Sequence, residues 1–218
     1  MTSPVSAAGP RAARPARIGV LLSGRGSNFV ALAQALARGA APAEIVLVAS
    51  NVADAPGLAR ARELAIPTAV LPQRDFPSRV AHEAALRASL REAGAEWICL
   101  AGYMRLLSPE FVAAYPMHVL NIHPSLLPAF PGLHPQRQAL AAGVRISGCT
   151  VHLVDAGLDS GPIVVQRAVP VEDDDDEAAL AARILVEEHL AYAQALRRLL
   201  TERWEMDGKR LCFLPGAR

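Results

Sequence analysis

The sequence predicts an α/β protein: a doubly wound, mostly parallel sheet of Rossmann-like character, closed by an antiparallel C-terminal extension and a long C-terminal helix. Three observations carry that expectation. Short apolar runs bounded by polar or turn residues, Ile18 to Leu22, Ile45 to Ala49, Trp97 to Leu100 and Val119 to Ile122, have the length and composition of strands buried on both faces. Helical segments alternate with them, as parallel strands joined by right-handed crossovers require. After Gly143 the alternation stops, and two β-like runs follow one another directly.

In chain order, residues 1–16 are rich in Ala, Pro and Arg and lack both acidic residues and an apolar core segment, so they read as a disordered tail and not as a secretory signal. Pro10 and Pro15 also oppose the amphipathic helix of a transit peptide. Ile18 to Leu22 is the first strand. Asn28 is placed to cap a helix over Phe29 to Ala37, with Gly39 as its stop, and Ile45 to Ala49 completes a β-α-β unit. The rhythm continues with a helix around Gly57 to Leu64, a strand around Thr68 to Leu71, a helix from Ser78 to Ala93 and the strand Trp97 to Leu100. Val119 to Ile122 then runs into His123-Pro124-Ser125-Leu126-Leu127-Pro128, where the prolines exclude regular structure. Gly148 to Val154 and Ile163 to Val169 read as an antiparallel pair. A helix from Glu177 to Arg203 carries Leu180, Ile184, Ala191, Ala195 and Leu199 on one stripe, with Glu188 out of pattern on that same stripe. Residues 17–218 are expected to form one domain, and residues after Leu200 a short tail.

Composition narrows the function. Twenty-two Lys and Arg against 21 Asp and Glu leave a net charge of +1, so no global field draws the chain to nucleic acid or to a membrane surface. No apolar run approaches the roughly 20 residues that span a bilayer. Cys99, Cys149 and Cys212 lie far apart without a C-x-x-C pair, which fits a reducing cytoplasm and argues against a disulfide framework. His82, His118, His134, His152 and His189 show no ligand spacing, so no metal is expected.

The chemistry concentrates in three places. Strand, Ser23-Gly24-Arg25-Gly26-Ser27-Asn28, then helix is an arrangement that presents backbone N–H groups and a helix N-terminus to an anion. Phe29 stands where a dinucleotide fingerprint needs glycine, so a monophosphate is the expected guest; a plain tight turn explains the glycines equally well. Asn121 and His123 share one face at the C-terminal end of a strand, where an amide and an imidazole can address one oxyanion. Asp159, between Gly157 and Gly161, can turn a carboxylate toward that imidazole, with Asp155 as its competitor. Such a partner raises the ring above its ordinary pKa of about 6.5 and keeps it charged. Met104, after a strand, either lines an apolar pocket or packs in the core.

Taken together, Ser23 to Asn28, Ser50-Asn51 with Ala53-Asp54, Leu100 to Pro109, Leu120 to Pro128 with Phe130-Pro131-Gly132-Leu133-His134, and Leu158 to Pro162 resemble the phosphoribosylglycinamide formyltransferases, folate-dependent enzymes of purine synthesis. The likeness runs from about Arg17 to the C-terminus. Asn-x-His-Pro-Ser-Leu-Leu-Pro marks the folate formyltransferases at large, while the length and the Gly-Ser-Asn loop select the member. The resemblance implies transfer of a formyl group from 10-formyltetrahydrofolate, as co-substrate, to the amino group of glycinamide ribonucleotide, without a metal, by a monomer or homodimer. It implies a phosphate-binding half over about 17–118 and a catalytic and folate half over about 119–218. Asn121, His123 and Asp159 would be catalytic, the amide and the protonated ring donating to the oxyanion. Gly26, Ser27 and Asn28 would hold the phosphate, and the stretch Leu185, Val186, Glu187 and Glu188 would meet the ribonucleotide, Glu188 at its ribose or amine. Arg79, Met104, Arg105, Leu106 and Leu107, with Asn121 and with Asp155, Ala156, Gly157, Leu158 and Asp159, would line the folate site. The chain departs from the family pattern at Pro135-Gln136, where a further histidine is usual, and Arg25 fills a variable loop position. The rival readings are formyltetrahydrofolate hydrolase, which adds an N-terminal regulatory domain that residues 1–16 are too few to supply, methionyl-tRNA formyltransferase, which adds a C-terminal domain, and a non-catalytic sugar-phosphate binding module.

Overall fold

The computed structural model describes residues 6–7 and 14–215. Its elements in chain order are β1 (Ser6–Ala7), β2 (Ala16–Leu22), α1 (Ser27–Ala37), β3 (Ala43–Ser50), α2 (Pro56–Glu63), β4 (Thr68–Val70), α3 (Arg79–Glu92), β5 (Trp97–Leu100), α4 (Pro109–Ala113), β6 (Val119–His123), α5 (Pro135–Ala141), β7 (Ile146–Leu153), β8 (Ile163–Pro170), α6 (Glu177–Thr201), β9 (Trp204–Asp207) and β10 (Arg210–Phe213). Seven strands form one sheet in the order β4-β3-β2-β5-β6-β7-β8. Every pairing from β4 to β6 is parallel, and β7 with β8 is antiparallel, the α/β architecture with an antiparallel extension.

The described residues fall into two units, one of residues 15–38 with 43–121, the other of 6–7, 14 and 39–42 with 122–215. The first is built around β2, where Ile18, Val20, Leu21 and Leu22 are fully buried, as an apolar run between parallel neighbours must be. Gly19 interrupts that run for a packing reason: a Cβ there would stand 2.4 Å from Leu90 of α3. Helix α1 starts at Ser27, earlier than expected, and Asn28 lies inside it instead of capping it. Gly26 takes the N-cap place in a left-handed conformation, φ 73°, and Ser27 and Asn28 become the first two helical residues before Phe29. Ser78 caps α3 by accepting from the Ala81 amide.

The second unit rests α6 on the β7–β8 hairpin. Asp176 caps the helix through the Ala179 amide, and its buried stripe is Leu180, Ile184, Glu188, Ala191, Tyr192, Ala195, Leu196 and Leu199. The short tail expected after Leu200 is instead a β9–β10 hairpin, turned at Gly208 with φ 59° and anchored by Trp204, whose indole N–H donates to the Leu199 carbonyl at 3.2 Å. The Arg198 guanidinium lies 3.5 Å over the Phe213 ring. Within the stretch expected as a disordered tail, Ser6–Ala7 pair antiparallel with β9, completing that hairpin's free edge, and Ala16 already opens β2; the rest of the segment before Arg14 lies outside the described residues. Helices α4 and α5 were not expected either. Each is short and begins with proline in its first turn, Ser108 capping α4 and the left-handed His134 preceding α5.

Candidate active site

In the first unit, the loop after β2 is tied down on both flanks. The Ser23 amide donates to the Gly102 carbonyl at 3.0 Å, its hydroxyl donates to Asn51 Oδ1 at 2.6 Å and accepts from the Met104 amide at 2.9 Å, and the Gly57 amide donates to the Gly24 carbonyl at 3.0 Å. A Cβ at Gly26 would stand 3.0 Å from the Gly57 Cα, so the turn is closed as well as left-handed. Gly26, Ser27 and Asn28 thus occupy the N-terminus of α1, whose first amides have no partner inside the helix. Arg25 is exposed.

The stretch Gly102 to Leu107 is irregular, and it carries Met104, Arg105 and Leu106 on the surface. Met104 is 69% exposed and Leu106 63%, which removes the core-packing alternative for Met104. Arg79, at the start of α3, donates to the Leu106 carbonyl at 2.8 Å. Burial above all pushes the Tyr103 phenol up to about 12, so it stays neutral.

Strand β6 carries Asn121 and His123 at alternate positions and therefore on one face. His123 is buried, with Nδ1 3.4 Å from Asp159 Oδ2 and Nε2 2.9 Å from the Phe130 carbonyl. A carbonyl oxygen only accepts, so Nε2 is the donor of that contact. The sequence reading aims a ring proton directly at substrate; in the structure Nε2 is engaged, because Phe130 adopts a left-handed conformation, φ 56°, that turns its carbonyl back to the ring.

Asp159 itself is left-handed, φ 48°, and its Oδ2 also accepts from the Gly132 amide at 2.8 Å. Its Oδ1 lies 3.7 Å from Nε2 of the buried His152. One carboxylate therefore serves two imidazoles and a backbone amide. Burial opposes its ionisation, yet the hydrogen bonds from His152 and Gly132 and the attraction of both rings outweigh it, holding the carboxyl below its ordinary range. Asp155, the competitor, is spent on its own turn: its Oδ1 accepts from the Gly157 amide at 3.0 Å and the Ser160 hydroxyl at 2.8 Å. Ala156, Gly157 and Leu158 are exposed along that loop.

His152 was set aside at the sequence level because no metal-ligand spacing includes it. The signal available was strand alternation: His152 lies two residues after Thr150, whose hydroxyl donates to the Ser125 carbonyl at 2.7 Å and accepts from the Leu127 amide at 3.0 Å, so β7 turns this face toward the proline loop.

On α6, Glu188 is buried, Leu185 and Glu187 are half-buried and Val186 is exposed. Glu187 is paired with Arg167, whose guanidinium also donates to Gln194. Burial first, and then the charges of Glu188 and Glu187, push the Cys149 thiol up to about 12, leaving it inert. Pro135 and Gln136 open α5, and His134 stands 3.7 Å from Glu177. Among the described residues no group of three His, Cys, Asp or Glu could hold a metal ion, and no helix is long and apolar enough to cross a membrane.

Residues 16–196 match the model of the family described as formyl transferase. The chain is 52% identical over 185 residues to the trifunctional purine biosynthetic protein adenosine-3 of Drosophila pseudoobscura pseudoobscura, covering 84% of this chain and 14% of that protein. It therefore spans about a seventh of the length of this multifunctional relative. It is 42% identical over 190 residues to the phosphoribosylglycinamide formyltransferase of Escherichia coli (strain K12), covering 87% of each. The crystal structure of glycinamide ribonucleotide transformylase 1 from Symbiobacterium toebii superimposes with a TM-score of 0.90 at 47% identity, over 92% of this chain and 95% of that one.

Proposed function

The chain belongs to the formyl transferase family, and on that premise we propose that it transfers the formyl group of 10-formyltetrahydrofolate to the amino group of glycinamide ribonucleotide, yielding the N-formyl product and tetrahydrofolate in purine biosynthesis. The observation that most supports this reading is the Asp159 carboxylate held against both His123 and His152 at the end of β6. We read the protein as a cytoplasmic monomer or homodimer acting on small molecules alone.

The chemistry follows from the charges that must appear. The amine attacks the formyl carbon, a C–N bond forms, and the carbonyl oxygen becomes an oxyanion. The Asn121 amide and the His123 ring donate to it, the substrate oxygen taking the place of the Phe130 carbonyl on Nε2; such donors are typically worth about 3 to 4 kcal/mol each. Asp159 holds the ring in place and relays the proton from the attacking amine toward the folate nitrogen, whose bond to the formyl carbon then breaks. Gly26, Ser27 and Asn28 bind the phosphate through backbone and side-chain donors, and Glu188 meets the ribose or amine. Arg79, Met104 to Leu107 and Asp155 to Asp159 line the folate site. Incubating the purified protein with 10-formyltetrahydrofolate, with and without glycinamide ribonucleotide, tests the assignment. Formyl transfer that requires the ribonucleotide supports it; hydrolysis indifferent to the ribonucleotide favours a hydrolase, and no reaction a binding module.

A further inference from the structure

We propose that Glu83 is a positioning residue that holds the Leu106–Ser108 backbone and Arg79 in the arrangement that receives the folate. The proposal rests on the functional reading above, in which Arg79 and Met104 to Leu107 line that site.

Glu83 lies on the buried face of α3 with Leu86 and Leu90, an expensive place for a carboxylate unless its oxygens are satisfied. They are. Oε1 accepts from Arg79 Nε at 2.9 Å and from the Ser108 amide at 3.1 Å, and Oε2 accepts from the Ser108 hydroxyl. Arg79, one helical turn before Glu83, uses a second guanidinium nitrogen on the Leu106 carbonyl at 2.8 Å. One buried carboxylate thereby fixes a loop at two points, once directly through Ser108 and once through Arg79.

Both partners have further duties. Ser108 is the N-cap of α4, accepting from the Phe111 amide at 3.1 Å, so its hydroxyl joins α3 to α4 through the end of the loop. At the other end of the same loop the Ser23 hydroxyl accepts from the Met104 amide at 2.9 Å. The segment between these anchors exposes Met104 and Leu106 on a backbone that is held at both ends, an apolar platform that need not be ordered when a flat, apolar ring system arrives. Arg79 remains about half exposed, leaving guanidinium surface for a carboxylate of the ligand while Glu83 restricts its swing.

A purely structural Glu83 would affect melting temperature alone, whereas a positioning Glu83 affects one ligand selectively. The test is calorimetric titration of 10-formyltetrahydrofolate and, separately, of glycinamide ribonucleotide into wild type, Glu83→Ala, Glu83→Gln, Arg79→Ala and the Arg79→Ala/Glu83→Gln double variant, with a thermal melt of each. Glu83→Gln is nearly isosteric and keeps an acceptor for the Ser108 amide, so it carries the test even where Glu83→Ala fails to fold. The expected result is a folate Kd raised about tenfold or more in Glu83→Gln, a ribonucleotide Kd within about twofold of wild type, and a smaller loss when Glu83→Gln is added to Arg79→Ala than when it is added to wild type, the remainder being the direct Ser108 anchor. Unchanged folate affinity in folded Glu83→Gln, or a parallel loss for both ligands, overturns the positioning role while leaving the functional reading intact. Wild type that binds no folate overturns both.

Discussion

At the scale of single residues, Asp159 gathers two imidazoles and a backbone amide on one carboxylate, and His189 shows how burial favours the neutral form of a ring. His189 neighbours Glu188 on α6, and burial depresses its pKa below the usual value of about 6.5. The folded state then prefers the neutral ring, and the unfolded chain binds the proton first as pH falls below about 6.5, so stability is complete above that value and declines as pH falls below it. Melting curves across this range should show the decline, and His189→Gln should flatten it. Asp159 contributes in a different window: its lowered carboxyl stabilises the fold above about pH 4, and that contribution disappears as acid protonates it. For His152, whose ring completes the environment of the same carboxylate, replacement by Asn should cut kcat about tenfold or more while ribonucleotide affinity holds, measured by steady-state kinetics. The pairing of His123 with Asp159 was readable in advance, since an imidazole at a strand end and an aspartate between glycines imply one another. His152 was not, because its partner is reached only through the third dimension and its place in a β-run reads as ordinary packing. The engagement of His123 with the Phe130 carbonyl was equally hidden, as it depends on a left-handed phenylalanine that no local propensity favours.

At the scale of elements, glycine positions test the packing most sharply. A Cβ at Gly148 would lie 2.0 Å from the Arg167 carbonyl oxygen and 3.0 Å from the Ala168 Cα, both backbone atoms of the paired strand. Gly148→Ala should therefore force β7 away from β8 and cost about 3 kcal/mol, read from the urea midpoint of unfolding. Gly26→Ala meets both a left-handed φ and the Gly57 backbone, so it should weaken ribonucleotide binding about tenfold by disturbing the first amides of α1, read by calorimetry. The long amphipathic helix and the buried parallel strands were legible because their periodicity or continuity is strong. Helices α4 and α5, five and seven residues long, fall below the length at which periodicity speaks, although Ser108-Pro109 was a start signal. The β9–β10 hairpin carried the Asp207-Gly208 turn signal, but its strands are four residues each, too short to display alternation.

At the scale of the whole molecule, the sheet order places the C-terminal end of β6, with Asn121 and His123, among parallel strands, where open α/β sheets put their ligands. A near-neutral chain suits the proposed function, under which a phosphate-bearing substrate would be held by local amides and side chains and not by a global field. The central claim is that formyl transfer depends on a carboxylate that holds the imidazole beside Asn121 in place. Single-turnover formyl transfer by Asp159→Asn, compared with wild type and with ribonucleotide affinity measured in parallel, tests it most directly. The account predicts a rate about a hundredfold or more below wild type with ribonucleotide Kd nearly unchanged; a rate within a few-fold of wild type contradicts it.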